Sequence, residues 1–188
     1  MTPKSPPSHL LGRGLAACIL SIALAGAAHA EVRIFSYDPA DDLTRRVAGP
    51  LTFEFEQHLI FTKVLRIHST QGQATAALKP ASDAALGHGG LSRLIGEQGR
   101  ERDLYEVEPG AEGADLIRAF CPGSSRGWLA FGRLAIGLDL RVRVLGDTPG
   151  GGPAHLCRTF QFTYHGEWQI PGGQPVDDQT LGRPKFPY

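Results

Sequence analysis

From Leu138 to Val144 apolar and charged residues alternate strictly, with Leu138, Leu140, Val142 and Val144 on one side and Asp139, Arg141 and Arg143 on the other. A period of two puts one face on a core and the other in water, which predicts a half-buried strand. Upstream, Trp128 to Leu134 is an apolar run, and Ala135-Ile136-Gly137 forms a connection short enough for a hairpin. Downstream, between Leu156 and Tyr164, Phe160, Phe162 and Tyr164 alternate with Thr159, Gln161 and Thr163. These connections are too short for a crossover helix, so the three segments read as an antiparallel meander. The loop from Gly146 to Pro153 is long and glycine-dense for a hairpin and is expected to project.

A weaker copy of the pattern occupies the first half, over Val32 to Tyr37, Leu51 to Gln57 and Phe61 to His68, each enriched in β-branched or aromatic residues. Between the first two, Asp38 as N-cap and Pro39 at the first helical position predict a short helix that Gly49-Pro50 stops. Residues 72–103, rich in alanine, glycine and charge, have only Leu91, Leu94 and Ile95 as a helical stripe, and read as a mobile excursion or a loosely attached helix. From Ala114 to Cys121, Leu116, Ile117 and Phe120 share one helical face, Cys121 points towards the sheet that helix covers, and Pro122-Gly123 ends it.

Composition enters through the two chain ends. Lys4 and Arg13, the apolar stretch from Leu15 to Ala25 and the small residues of Ala28-His29-Ala30 have the form of a secretory signal peptide cleaved before Glu31. Leu15-Ala16-Ala17-Cys18 has the shape of a lipoprotein box. However, only Gly14 to Ala17 separate Arg13 from Cys18 and most of the apolar run follows the cysteine, so soluble export to the periplasm or medium is expected without a membrane anchor. The expected organisation is a signal peptide over residues 1–30, a single α+β domain over 31–170, and a Pro/Gly-rich tail over 171–188. That domain is mainly antiparallel sheet with one or two short helices packed on it. Cys121 and Cys157 would be the cysteines of the mature chain, and an oxidising compartment pairs them in one disulfide. Cys157 falls on the Thr159, Gln161, Thr163 face, which a helix bearing Cys121 would have to cover.

Near-neutral charge without a basic run disfavours nucleic acid and anionic membrane as partners. Gly123-Ser124-Ser125-Arg126-Gly127 matches the Gly-x-Ser-x-Gly nucleophile elbow, and Asp139 or Asp147 with His155 or His165 falls in a suitable order after Ser125. His88-Gly89-Gly90 resembles an oxyanion-loop element. The elbow needs a strand before it and a helix after it, and here the predicted order is inverted, so the expectation is a plain turn. The histidines His58, His68, His88, His155 and His165 show no metal-ligand spacing and no close Cys/His pairing; His58 and His68 meet, at most, across a hairpin near Glu54 and Glu56. No metal or cofactor is expected, and the cysteines read as structural. Two binding surfaces remain: the polar ladder of Asp139, Arg141 and Arg143 continued by Thr159, Gln161 and Thr163, and Tyr164-His165-Gly166-Glu167-Trp168, able to stack on and hydrogen-bond a sugar, peptide or other small molecule. The plainer reading of the latter has Trp168 plugging the end of the core. The sequence thus points to a non-enzymatic binding or envelope-accessory protein, with a small serine hydrolase using Ser125 as the alternative.

Overall fold

The computed structural model describes residues 31–58, 62–71 and 73–169. The predicted leader, the tail and Phe61 lie outside these residues. Among them, eight strands follow one another around a closed antiparallel barrel: β1 (Glu31–Pro39), β2 (Leu51–Gln57), β3 (Thr62–Ser69), β4 (Ala74–Pro80), β5 (Asp103–Val107), β6 (Gly127–Phe131), β7 (Leu140–Thr148) and β8 (Gly152–Gln169). Pairing of β8 with β1 closes it, so the two predicted meanders are halves of one sheet. Eight strands leave an interior just wide enough for side chains to fill. Here it is filled by aromatic rings: Phe35 meets Phe55 edge-on at 4.6 Å, and Phe131 lies 5.2 Å from both Phe53 and Tyr105.

Helix α1 (Asp42–Val47) begins later than the pattern predicts. β1 continues through Pro39, and Asp41 rather than Asp38 is the N-cap, its carboxylate accepting from the Thr44 amide at 2.8 Å. The predicted stop holds, since Gly49 has a positive φ of 62°. Helix α3 (Ala111–Phe120) joins β5 to β6 and adds Leu116, Ile117 and Phe120 to the barrel's buried cluster. It packs chiefly on β4, whose inward Ala74 and Ala76 leave room for it.

The segment expected to be a mobile excursion or a loosely attached helix holds β4, a 3₁₀ helix (Asp83–Leu86) and α2 (Gly90–Ile95), which carries the predicted stripe of Leu91, Leu94 and Ile95, and it leads into β5. Leu86 and Leu91 pack outside the barrel on Leu104, Trp128, Ala130 and Leu145, forming a second buried cluster. This cover explains why β6 lacks alternation: Leu129 and Phe131 face the interior, Trp128 and Ala130 lie under the cover, and every residue of the strand is buried. By contrast β7 starts at Leu140, because Leu138 stands in the loop with 52 % of its surface exposed.

At the closing seam a bulge between Ser36 and Tyr37 sets Tyr164 against the rings of Phe35 (5.7 Å) and Tyr37 (5.8 Å). Tyr164 therefore fills the seam, whereas Trp168, expected as the plug, is 60 % exposed. The same strand puts Glu167 in an ion pair with Arg33, and His165 2.8 Å from Asp38.

Candidate functional site

The Gly-x-Ser-x-Gly segment is a turn between α3 and β6, the inverse of the strand-to-helix order an elbow requires. Gly123, at φ 93°, lets the chain reverse after the helix. Asp147, near the end of β7, organises the rest of the turn: its carboxylate accepts from the amides of Ser125 (2.8 Å) and Arg126 (2.9 Å) and from the Ser125 hydroxyl (2.7 Å). Burial alone would raise its pKa, but these three donors together with its own backbone N–H outweigh it and hold Asp147 below the usual carboxylate range. Among the described residues no histidine hydrogen-bonds to Ser125: His155 Nε2 lies 3.6 Å from Cys157 Sγ, and His165 is paired with Asp38. Asp139 accepts instead from the Tyr164 amide at 3.2 Å. His88-Gly89-Gly90 leads into α2, where Asp83 accepts the Leu91 amide at 2.8 Å, so that loop cradles a carboxylate of its own chain.

Beside the turn, Cys121 and Cys157 form the expected disulfide, their Cα atoms 5.3 Å apart. The geometry that brings them together differs from the expected one. α3 joins the barrel's interior cluster rather than covering the Thr159–Gln161–Thr163 face, and a bulge that pairs Val144 with Arg158 and Leu145 with Leu156 leaves Cys157 out of the ladder. Arg158 then donates to the Phe120 carbonyl at 3.1 Å, a second tie between β8 and α3. Ser124 Oγ donates to the Asp147 carbonyl (2.8 Å) and lies 3.1 Å from Cys121 Sγ. Gly146 faces this pair so closely that a Cβ would overlap both Ser124 Oγ and Cys121 Sγ, so only glycine fits. The Cys157–His155 contact corrects the expectation of no close Cys/His pairing: the two are two residues apart on one strand, a spacing visible in the sequence. Together Cys121, Cys157 and His155 bring potential ligand atoms within 4.8 Å of one another, with both sulfurs committed to the disulfide.

On the other side of the turn lies a groove of about 690 Å³ between the 3₁₀ helix and the glycine-rich β7–β8 connection, with Ser125, Arg126 and Asp147 at one end. Trp128 lines it, 2 % exposed, and its indole N–H has no hydrogen-bond partner. Arg126 donates to Glu106 through Nε (3.0 Å) and Nη2 (2.6 Å) while its guanidinium sits 5.0 Å from the Trp128 ring. The groove joins a chain of contacts to the disulfide: Ser125 to Asp147, Asp147 to Ser124, Ser124 to Cys121.

The polar ladder on β7 and β8 also forms, with Arg143 Nη1 2.9 Å from Thr159 Oγ1. Its central member is one sequence reasoning missed. Glu101, 3 % exposed, accepts from Arg141 Nε (2.5 Å) and Arg143 Nε (3.2 Å). Burial pushes its pKa up, but its own backbone N–H, the Arg141 hydrogen bond and the two arginine charges bring it below the usual range. By contrast, His58 and His68 do not meet: the register sets His68 opposite Thr52, while His58 follows the other end of β2 and pairs with Glu56 at 3.6 Å.

Asp147 and Glu101, with the N-cap Asp41 that the Thr44 amide likewise holds below the usual carboxylate range, set an acid limb. A folded pKa below the unfolded value contributes stability above the ordinary carboxylate range, and that contribution is lost as pH falls through it. Urea midpoints are expected to hold from neutrality to about pH 5 and to decline below about pH 4, with a shallower decline in Asp147→Asn.

The protein is thus an eight-stranded closed barrel with a packed interior and an external groove. Comparison with known protein families, with curated proteins and with solved structures finds no match.

Proposed function

We propose that this chain is an exported, non-enzymatic binding protein, periplasmic or secreted, that holds a small ligand in the groove over Trp128. The groove carries this reading: the barrel interior is filled by its own rings, so the concave space that fits a ligand is on the outer wall. A ligand there meets the backbone of Gly150, Gly151 and Gly152 on one side and Ala84 to Gly87 on the other, and a hydrogen-bond acceptor near the floor would satisfy the indole N–H. Export rests on the leader pattern and the paired cysteines. No described helix is long and apolar enough to cross a membrane, and Arg141 and Arg143 stand on the outer wall. In this reading Ser125 is a turn residue held by Asp147, which supports binding over hydrolysis. The test is to map where small molecules settle on the protein while assaying ester hydrolysis; a Ser125-dependent esterase would replace the binding reading.

A further inference from the structure

A second cavity, of about 270 Å³, opens on the wall near the start of β7, lined by Arg100, Glu101, Arg133, Asp139, Arg141 and Gln161. Three arginines line it from three parts of the chain: Arg100 from the connection before β5, Arg133 from the β6–β7 loop, and Arg141 from β7. Arg100 and Arg133 hold no hydrogen bond or ion pair among the described residues, and Arg141 uses only Nε, leaving both Nη groups free. The two carboxylates of the lining, Asp139 and Glu101, leave the three arginines in excess, and Glu101 serves both Arg141 and Arg143 through Oε1. Its Oε2 is buried with no donor, an expensive state for a carboxylate oxygen unless something brings one.

We infer that this cavity binds a small hydroxylated carboxylate. Arg100, Arg133 and the Nη groups of Arg141 take the acid group, by the charge-assisted and forked hydrogen bonds guanidinium favours. Glu101 acts as a positioning residue, holding Arg141 against the wall by its Nε. A ligand hydroxyl reaching past Arg141 donates to Oε2. The acid group alone would select any anion; the unsatisfied acceptor selects one that also carries donors. This site is separate from the groove over Trp128 and stands whether or not the groove is occupied.

Calorimetric titration of the full-length folded protein with D-gluconate, inorganic phosphate, acetate and D-glucose tests it. Saturable gluconate binding is expected, weaker at high salt, with acetate and phosphate at least about tenfold weaker, as for one lost hydrogen bond to a charged group, and glucose inactive. Arg100→Gln with Arg133→Gln, both on the surface, should leave the circular dichroism unchanged and weaken gluconate about tenfold or more. Glu101→Gln is expected to narrow the preference for gluconate over acetate. Chemical shifts on titration should move at Gly132 and Gln161 and not at Gly150, separating this site from the groove. Absence of saturable gluconate binding, phosphate binding as tightly as gluconate, or gluconate affinity unchanged in the double arginine variant would overturn the inference.

Discussion

Cys121→Ala combined with Cys157→Ser is expected to lower the unfolding free energy by about 4 kcal/mol, among the largest effects available in this protein. The bond closes a loop 36 residues apart in sequence, spanning β6, β7 and the glycine-rich connection. Without it the unfolded chain regains that freedom, while in the folded state α3 is left to Leu116, Ile117, Phe120 and the Arg158 hydrogen bond. Urea denaturation of oxidised wild type, reduced wild type and the double variant checks this. Reduced and variant proteins should agree, and a loss under about 1 kcal/mol in both would show that packing alone holds α3.

Phe160→Ala is expected to be comparably damaging, at about 3–5 kcal/mol. The ring is fully buried and stands between the two parts of the main core, 5.0 Å from Phe120 of α3 and 6.3 Å from Phe162 of the barrel wall. Truncation leaves a void that the sheet cannot readily collapse to fill, because Phe160 is paired with Val142 of β7 and the next residue is tied on the other side, the Gln161 carbonyl accepting from the Ala40 amide (2.9 Å) and its amide donating to Thr44 Oγ1 (3.0 Å). Thermal or urea denaturation reads the loss. The contrast is Gln161→Ala next door, on the exposed outer face, where an effect within about 0.5 kcal/mol is expected.

What could be read from the residues divides along physical lines. β7 and β8 were legible because one face is wet, so the pleat shows as alternation at Arg141, Arg143, Thr159 and Gln161. β6 was recognisable only as an apolar run, since the cover from Leu86 and Leu91 buries its second face. β4 carried no signature: its alanines look like loop composition until α3 is placed against them. Closure of β1 on β8 joins residues more than a hundred positions apart and leaves no local trace. At the site, the disulfide followed from the cysteine count and the export that the leader pattern predicts, and the inverted context of Ser125 from the order of elements. The route by which Cys157 reaches Cys121 depends on a bulge, and bulges carry no reliable pattern here. Glu101 lies 40 residues from Arg141, in a segment of mixed charge, so nothing marked it as the acid between two arginines. Trp168 looked like a core plug because large aromatics usually are buried; the seam was already filled by Tyr164.

The proposed binding function rests on the groove over Trp128, and the protein's two indoles, Trp128 in that groove and Trp168 away from it, offer a direct probe. In Trp168→Phe protein the remaining indole N–H signal belongs to Trp128. A library of small organic fragments screened by two-dimensional nitrogen–proton NMR should give hits that shift this signal together with the amides of Ala85, Ser125 and Gly150, with no turnover of 4-nitrophenyl acetate. Hits that settle elsewhere and leave the Trp128 indole unmoved, or an esterase activity abolished by Ser125→Ala with the fold intact, would contradict the account.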